Sequence, residues 1–291
     1  MKIREWTKYN LHLLLLMPGA ILFVLFLAIP FLWIIRISFY QNIPGGYMSV
    51  AWVMENYKRF LGDFWYIQNA LFFSLKIALS TVFSAVILAY PLAYCIARTS
   101  GRKKQLLLTI VLSPLLISMV CLILGLMIVL RREGLFNQIL LWLGIISVPG
   151  KYIYDIKGVI IGLIYIVIPY IVLCLLDNLG RIDLCLEEAA MNLGATRWQT
   201  FFKITFPLST PGMFAGSVIV LSMNFCAFAI PLMIGPDRLP MMGLIIYNQA
   251  TAMNNMPFAA ALATITVVVN IGILYIYIKL MNKFFFKRLG V

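Results

Sequence analysis

The sequence predicts an all-α integral membrane protein with six transmembrane helices, and three observations support this prediction. Apolar residues make up 63% of the 291-residue chain and charged residues only 11%, whereas soluble proteins have about 45–50% apolar and roughly 25% charged residues. The mean hydropathy is +0.98. Six apolar runs are long enough to cross a hydrocarbon core of about 30 Å, which takes roughly 20 helical residues.

The first apolar run follows three basic residues and therefore resembles a secretory signal. Its apolar core is longer than the roughly 7–15 residues of a signal peptide, and no small-residue cleavage site follows it, so we predict an uncleaved membrane anchor. Five further runs complete the set. The predicted spans are residues 11–35, 67–97, 105–130, 157–176, 211–234 and 259–280.

The distribution of Lys and Arg predicts the orientation, because these residues concentrate at the cytoplasmic ends of spans. With the N-terminus inside, fourteen of them lie in inner segments and eight in outer segments, and Lys76 lies within a span. We therefore expect both termini in the cytoplasm. The chain then divides into an N-terminal helix with an extracytoplasmic segment (1–66), a core transmembrane domain (67–280) and a cytoplasmic tail (281–291).

Charge and composition also exclude several functions. The net charge of +13 is compatible with nucleic-acid binding, but the basic residues lie at span ends, so we expect contacts with membrane lipids and none with nucleic acid. The five cysteines have no paired spacing for disulfides or zinc. The single histidine, His12, belongs to no catalytic group, and no P-loop sequence occurs. We therefore expect no catalytic residues, metal site or cofactor in this chain.

The long inner connection between the fourth and fifth spans, residues 177–206, has a local pattern of its own. Asp183 is placed to cap a helix, and Gly194 follows at the position where a left-handed residue closes it. Thr196 and Gln199 form a capping-box pattern for a second helix, which Pro207 is expected to end. Four apolar residues of the first helix share one face: Leu186, Ala189, Ala190 and Leu193.

Two interpretations of this helix–glycine–helix pattern stay open. One is an amphipathic hairpin on the headgroups, with the aromatic stripe of Trp198, Phe201 and Phe202 dipping into lipid. The other is a rigid knob that fits a groove on a soluble partner. The small side chains of Ala189 and Ala190 favour the knob, because they permit close approach and anchor weakly in lipid. The residues predicted to face away from the apolar stripe are Glu187, Glu188 and Asn192.

The same residues match a longer pattern: EAA, three residues, G, nine residues, then I, one residue, an apolar residue and P. In this chain the pattern falls on Glu188, Ala189, Ala190, Gly194, Ile204, Phe206 and Pro207. It resembles the loop signature of the membrane subunits of bacterial ABC importers, which usually have Leu in place of Phe206. Nearly the whole chain is similar to a type I importer permease (MetI-like fold), with residues 67–280 as its ABC transmembrane type-1 domain.

The resemblance implies a multi-pass permease subunit of a bacterial inner membrane, without an ATPase site of its own. The implied partners are a second permease in a heterodimer, two copies of an ABC ATPase subunit that bind ATP and magnesium, and an extracytoplasmic solute-binding protein. The inner connection would be the coupling helix, seated in a groove of the ATPase. The residues that this resemblance assigns to ATPase coupling are Glu187, Glu188, Ala189, Ala190, Gly194, Thr196, Arg197 and Pro207.

Two further stretches bear on the solute. Sugar-importer permeases usually carry Asp before the loop glycine, where this chain has Leu193. Residues 228–263 resemble the polyamine-type group, which also includes iron(III) and thiosulfate permeases, although Pro236 replaces a usual glycine. Within that group the chain is most similar to the spermidine/putrescine permease B type. The resemblance therefore implies a polyamine as solute, with iron(III), thiosulfate, phosphonate or a sugar as alternatives.

The spans contain polar and aromatic side chains suited to a cationic solute. The six predicted spans hold no Asp or Glu, so cation–π contacts with aromatic rings and carboxylates of the partner permease are the expected counterparts of a polyamine. Ordinary packing also explains each aromatic, and an interhelical hydrogen bond also explains the asparagine. The candidate path residues are Tyr90, Tyr94, Tyr165, Tyr170, Asn224, Phe225 and Phe228.

A stand-alone secondary transporter is the alternative from another class. Such proteins couple transport to ions at mid-membrane sites, and the predicted spans offer only Lys76 as an ionisable group of that kind. An ATP-driven importer subunit is therefore the favoured interpretation.

Overall fold

Helices make up most of the computed structural model, which describes residues 16–43, 47–281 and 283. A two-stranded antiparallel sheet pairs Gln41–Ile43 (β1) with Tyr47–Ser49 (β2), with Gln41 opposite Ser49. The helices in chain order are Leu16–Ile37 (α1), Glu55–Gly62 (α2), Tyr66–Ala97 (α3), Gly101–Leu116 (α4), Met119–Leu130 (α5), Leu135–Trp142 (α6), Ile156–Leu179 (α7), Leu184–Asn192 (α8), Arg197–Phe225 (α9), Ala229–Ile234 (α10), Met242–Thr251 (α11) and Met256–Met281 (α12).

Five of these helices are long and apolar enough to cross a membrane: α1, α3, α7, α9 and α12. Helices α4 and α5 pass the same test together and make a sixth span if the pair is counted as one. The all-α membrane fold predicted from the sequence is therefore confirmed. Residues 1–15 and 284–291, which include the start of the first predicted span, His12 and most of the predicted tail, lie outside the described residues.

The larger of two compact units, residues 65–245 and 268–291, is built around α3, α7 and α9. One face of α3 carries fully buried alanines at close to helical spacing, and small side chains allow membrane helices to approach closely. These are Ala78, Ala85, Ala89 and Ala93. Branched and aromatic residues of α7 and α9 complete this core: Val167, Ile171, Val172, Leu175, Val220, Leu221 and Phe225.

Helices α7 and α9 approach closely at two glycines. A Cβ atom on Gly212 would lie 2.5 Å from Asn178 Cβ and 2.7 Å from the Cys174 carbonyl oxygen, and one on Gly216 would lie 3.1 Å from Ile171 Cα. Only a residue without a side chain fits at Gly212. The contact fixes the inner half of α9 against α7.

The smaller unit, residues 1–64 and 246–267, has a polar tie of its own. Asn56 of α2 is buried, and its Nδ2 donates to the carbonyl oxygens of Ser38 at 2.8 Å and Tyr40 at 2.9 Å. The Arg59 guanidinium lies 4.3 Å from the centre of the Phe258 ring. These contacts hold α2 to the end of α1 and to the start of α12.

The third predicted span, residues 105–130, is not one continuous helix. Helices α4 and α5 meet at an angle of 107°. Pro114, in the last turn of α4, cannot donate to the Ile110 carbonyl, which instead accepts from Ser113 Oγ at 2.8 Å. Ile117 and Ser118 then adopt extended backbone angles. Hydropathy records how apolar a run is and not its direction, so it could not reveal the bend.

The fifth span is present, but its predicted bounds, residues 211–234, and the predicted helix end at Pro207 are both wrong. Helix α9 runs without a break from Arg197 through Pro207 to Phe225. A π-helical turn over Phe201–Thr205 precedes the proline, and the Phe206 N–H bonds to the Phe201 carbonyl five residues back. This shift in hydrogen bonding lets the helix continue past the proline ring.

The outer end of this span also differs from the prediction, because α9 ends at Phe225 and not at residue 234. Residues after Phe225 leave helical geometry, and Ala229 starts the separate helix α10. Pro231 lies in the first turn of α10, where a missing N–H costs no helical hydrogen bond. The proline therefore belongs to the start of a new helix and is not a kink within a span.

Candidate functional site

The inner connection forms two helices joined at a left-handed glycine, as predicted. Asp183 Oδ1 accepts the Cys185 N–H at 3.0 Å and caps α8. This hydrogen bond and a second one from the Cys185 thiol hold the pKa of Asp183 below its ordinary value. Gly194 has φ +88°, a conformation that L side chains rarely adopt, and a Cβ atom there would meet nothing within 4 Å. The turn therefore depends on the backbone freedom of this glycine.

The second helix begins with the predicted capping box. Thr196 Oγ1 accepts the Gln199 N–H at 3.3 Å, and Gln199 Oε1 accepts the Thr196 N–H at 2.9 Å. The starts of α8 and α9 are thus fixed by local hydrogen bonds. We call residues 184–205, from the start of α8 to the end of the π-helical turn in α9, the coupling element.

The apolar stripe predicted for α8 faces away from the rest of the chain. Leu193 is 90% exposed, Leu186 is about half exposed, and Ala189 is exposed. Trp198, at the start of α9, is 73% exposed. These side chains are not covered by the described part of the chain, so the stripe is available to a partner surface or to lipid.

The two adjacent acids at the start of α8 differ in their surroundings. Glu187 is half-buried: its Oε1 accepts from Arg98 Nη2 and, at 2.6 Å, from Thr205 Oγ1. Glu188 is exposed and forms no ion pair with any residue that the structure describes. Both acids were predicted to face away from the apolar stripe, but their surroundings differ, since only Glu187 faces the chain's own spans.

A polar cavity of about 280 Å³ lies beside Glu187. The Thr200 hydroxyl, which lines it, is buried without a hydrogen-bond partner among the described residues, and so is Arg98 Nε nearby. The residues around this cavity come from α3, α8 and α9: Tyr94, Glu187, Met191, Arg197, Thr200, Phe201 and Thr205.

Two tyrosines predicted for the solute path lie next to the coupling element. The Tyr90 hydroxyl is 2.6 Å from Ser209 Oγ, and the ring centres of Tyr90 and Tyr94 lie 5.7 and 5.5 Å from that of Phe201. These contacts join the inner end of α3 to the first turns of α9. A role for the two tyrosines in the path stays a prediction.

Asn224 and Phe228 line a different cavity, of about 210 Å³, at the outer end of α9. Asn224 is 2% exposed, and its Nδ2 has no hydrogen-bond partner within the described ranges. Met119 also lines this cavity and is the first residue of α5 after the 107° bend. Two interrupted spans therefore border one cavity. The neighbouring Phe225 is instead buried in the core.

The other two predicted path residues lie elsewhere. Tyr165 lines a mostly apolar cavity of about 470 Å³ between α5, α6 and α7. Tyr170 packs against the core formed by α3, α7 and α9. The seven predicted path residues are thus distributed over separate places in this chain and do not line a single cavity.

Arg98 and Thr205 are the site residues that sequence reasoning missed. Arg98 lies 89 positions before Glu187 and counted only as one of the inner basic residues. Thr205 occupies the variable position of the loop pattern, between Ile204 and Phe206. No signal in a single sequence connects either residue with Glu187.

The chain also has relatives of known family and fold. It is 33% identical over 263 residues to the spermidine/putrescine transport system permease protein PotB of Escherichia coli (strain K12), which covers 89% of this chain and 95% of that protein. A crystal structure of a bacterial ABC transporter involved in the import of the acidic polysaccharide alginate has the same fold, with a TM-score of 0.74 and 20% identity over 98% of this chain and 99% of that one.

Inward-facing MetNI, a methionine ABC transporter, is also similar, with a TM-score of 0.58 and 18% identity over 75% of this chain and 96% of that one. These likenesses agree with the resemblance identified from the inner connection. Residues 20–287 match the family described as binding-protein-dependent transport system inner membrane component. The chain therefore belongs to that family and is a multi-pass inner membrane permease of an ABC importer with the type I fold.

Proposed function

We propose that this permease forms part of the translocation path for a polyamine such as spermidine or putrescine. The observation that carries the proposal is the 33% identity to a spermidine/putrescine permease over 263 residues, which covers nearly the full length of both chains. The local sequence supports it, because Leu193 replaces the Asp that is usual in sugar-importer permeases.

The coupling element is proposed to seat in a groove of a separate ATPase subunit. Its caps and the Gly194 turn make it stiff, and Leu186, Leu193 and Trp198 present an uncovered apolar surface. A stiff element with two discrete arrangements can transmit a displacement across a packed interface. The complex would then contain two ATPase copies, a second permease and an extracytoplasmic binding protein. ATP and magnesium are assigned to the ATPase, since this sequence contains no P-loop.

The cavity at Asn224 is proposed as this chain's contribution to the solute path. It adjoins the C-terminal end of α9, where the helix dipole favours a cation such as an ammonium group. Interrupted membrane helices line the solute sites of many transporters, and α9–α10 and α4–α5 are both interrupted here. The Phe228 ring adds a face that attracts cations. The balancing carboxylates are assigned to the partner permease, because the predicted spans of this chain contain none.

The test is uptake by the whole complex in proteoliposomes. The permease is produced with its partner permease, ATPase and binding protein, and ATP-driven accumulation of labelled spermidine and putrescine is measured. Iron(III), thiosulfate, a phosphonate and an oligosaccharide are offered in parallel. Accumulation of a polyamine alone supports the proposal, and accumulation of another solute without polyamine uptake contradicts it.

A second measurement separates an importer subunit from a stand-alone transporter. The purified permease alone, in liposomes with a proton or sodium gradient, should neither take up polyamine nor hydrolyse ATP. Uptake without the ATPase would favour the secondary-transporter alternative.

A further inference from the structure

We infer that Glu187 is a positioning residue that ties the coupling element to α3, so that a displacement of α8 moves α3 and α9 together. Glu187, Arg98 and Thr205 form what we call the three-residue lock. The inference rests on the proposed coupling to a separate ATPase and adds the internal route by which that coupling reaches the spans.

One carboxylate oxygen joins three elements of the larger unit. Glu187 Oε1, on α8, accepts from Arg98 Nη2 at the C-terminal end of α3 and from Thr205 Oγ1 in the π-helical turn of α9. The side chains of Arg98 and Glu187 are only 21% and 12% exposed. Since burial limits screening by water and salt, this pair holds its geometry better than a surface pair.

The lock matters because the chain itself joins the coupling element to α7, through residues 180–183, and to α9, whereas only side-chain contacts join it to α3. Its connection to α9 is covalent: the helix continues from Arg197 to Phe225, so a displacement at Thr205 is carried to the cavity at Asn224. Its connection to α3 depends on contacts between side chains. The lock supplies the charged contact, and the rings of Tyr94 and Phe201, 5.5 Å apart, supply an aromatic one.

The aromatic contact also explains why the fold should survive without the lock. The Arg98 guanidinium lies 5.6 Å from the centre of the Tyr94 ring, and Tyr90 bonds to Ser209 at 2.6 Å. These contacts remain when Glu187 is neutralised. Glu187→Gln should therefore loosen the response of α3 to α8 while the complex still assembles.

The chain contains a matched control. Asp177 and Arg181, at the end of α7 beside the same connection, form an ion pair of the same chemical type, but their side chains are 69% and 76% exposed. Asp177→Asn removes a charge and an ion pair without touching the lock. It should leave coupling unchanged, because exposed pairs of this kind contribute little.

The experiment measures coupling in the reconstituted complex of permease, partner permease, ATPase and binding protein. For each variant, ATP hydrolysis and spermidine uptake are recorded on the same vesicles, and the ratio of ATP hydrolysed to solute moved is compared with wild type. Substitutions along a coupling route typically change coupling by about 2- to 30-fold. We expect a rise within that range for Glu187→Gln and for Arg98→Gln, and none for Asp177→Asn.

Charge reversal provides the decisive comparison. The double variant Glu187→Arg with Arg98→Glu restores an ion pair between the same positions, and it should return the ratio most of the way to wild type. A wild-type ratio for Glu187→Gln would overturn the inference. So would a reversed pair that assembles but couples no better than the single variants.

Two further comparisons address a Glu187→Gln variant that fails to assemble and a wild-type complex that does not take up polyamine. If Glu187→Gln fails to assemble, Thr205→Val removes only one hydrogen bond of the lock and should raise the ratio by a smaller factor; an unchanged ratio in this assembled variant would overturn the inference. If the wild-type complex itself shows no ATP-driven polyamine uptake, the proposed function has failed. A working wild type with unaffected lock variants means that only the lock has failed.

Discussion

Replacing Gly194 by valine tests whether the geometry of the coupling element is needed to couple ATP hydrolysis to solute uptake. Gly194 has φ +88°, and nothing lies within 4 Å of an added Cβ atom. The penalty therefore comes from the backbone alone and amounts to about 1–2 kcal/mol for an L residue in the left-handed region. Since about 1.4 kcal/mol is a factor of ten, the native turn should be disfavoured by about 5- to 30-fold relative to other conformations.

A graded series makes the prediction sharper than a single variant. Asn visits the left-handed region more readily than other residues with a side chain, so Gly194→Asn should retain most of the uptake. Gly194→Ala should lose more, and Gly194→Val should lose the most. ATP hydrolysis should persist in all three variants, because the proposed function assigns the ATPase site to another subunit. Uptake and hydrolysis are measured on the same proteoliposomes.

Gly144 provides the control for general destabilisation. It has φ +68° and an equally open Cβ position, but it lies in the connection between α6 and α7, outside the coupling element. Gly144→Val carries a similar backbone penalty and should leave the ratio of ATP to solute unchanged. Wild-type uptake in Gly194→Val, or equal uncoupling in Gly144→Val, would refute the reasoning.

Three predictions concern stability. Gly212→Ala should lower the stability of the purified complex by about 1–3 kcal/mol through overpacking against α7. Gly272→Ala is the control, because an added Cβ atom there meets open space on α12. Thermal unfolding in detergent compares the two variants, and equal melting temperatures would contradict the close approach at Gly212. Thr196→Ala removes the capping-box hydrogen bond that Thr196 Oγ1 accepts from the Gln199 N–H and should cost about 1 kcal/mol locally, seen as faster amide exchange at the start of α9. Tyr90→Phe should cost about 0.5–1.5 kcal/mol by removing the hydrogen bond to Ser209, and an unchanged melting temperature would show that this bond contributes nothing net.

The distinction between Glu187 and Glu188 changes how the loop pattern is understood. Adjacent acids on a helix point about 100° apart, so one can face the bundle while the other faces outward. Here Glu187 bonds to Arg98 and Thr205, and Glu188 stays exposed. The exposed acid is available to a partner subunit, whereas the half-buried acid bonds within the permease.

The sequence by itself determined those features that depend on local physics. Apolar runs long enough to cross a bilayer predicted the membrane helices, because backbone groups in lipid must be satisfied within the helix. Asp183, Gly194 and Thr196 marked both ends of α8 and the start of α9 correctly, because caps and left-handed turns depend on residues within a few positions. The loop pattern could also be identified from the sequence, since all its residues lie between Glu188 and Pro207.

Tertiary structure decided whatever depends on residues far apart in the chain. The bend between α4 and α5 and the continuation of α9 through Pro207 depend on the direction of the backbone. Hydropathy measures only how apolar the residues are, so it cannot predict either feature. The pairing of Glu187 with Arg98 joins positions 89 residues apart. Tyr90 and Asn224 are separate because Tyr90, on α3, bonds to Ser209 in the inner half of α9, whereas Asn224 lies at the outer end of α9. Packing of α3, α7 and α9 brings such residues together, and no local pattern encodes which pairs will meet.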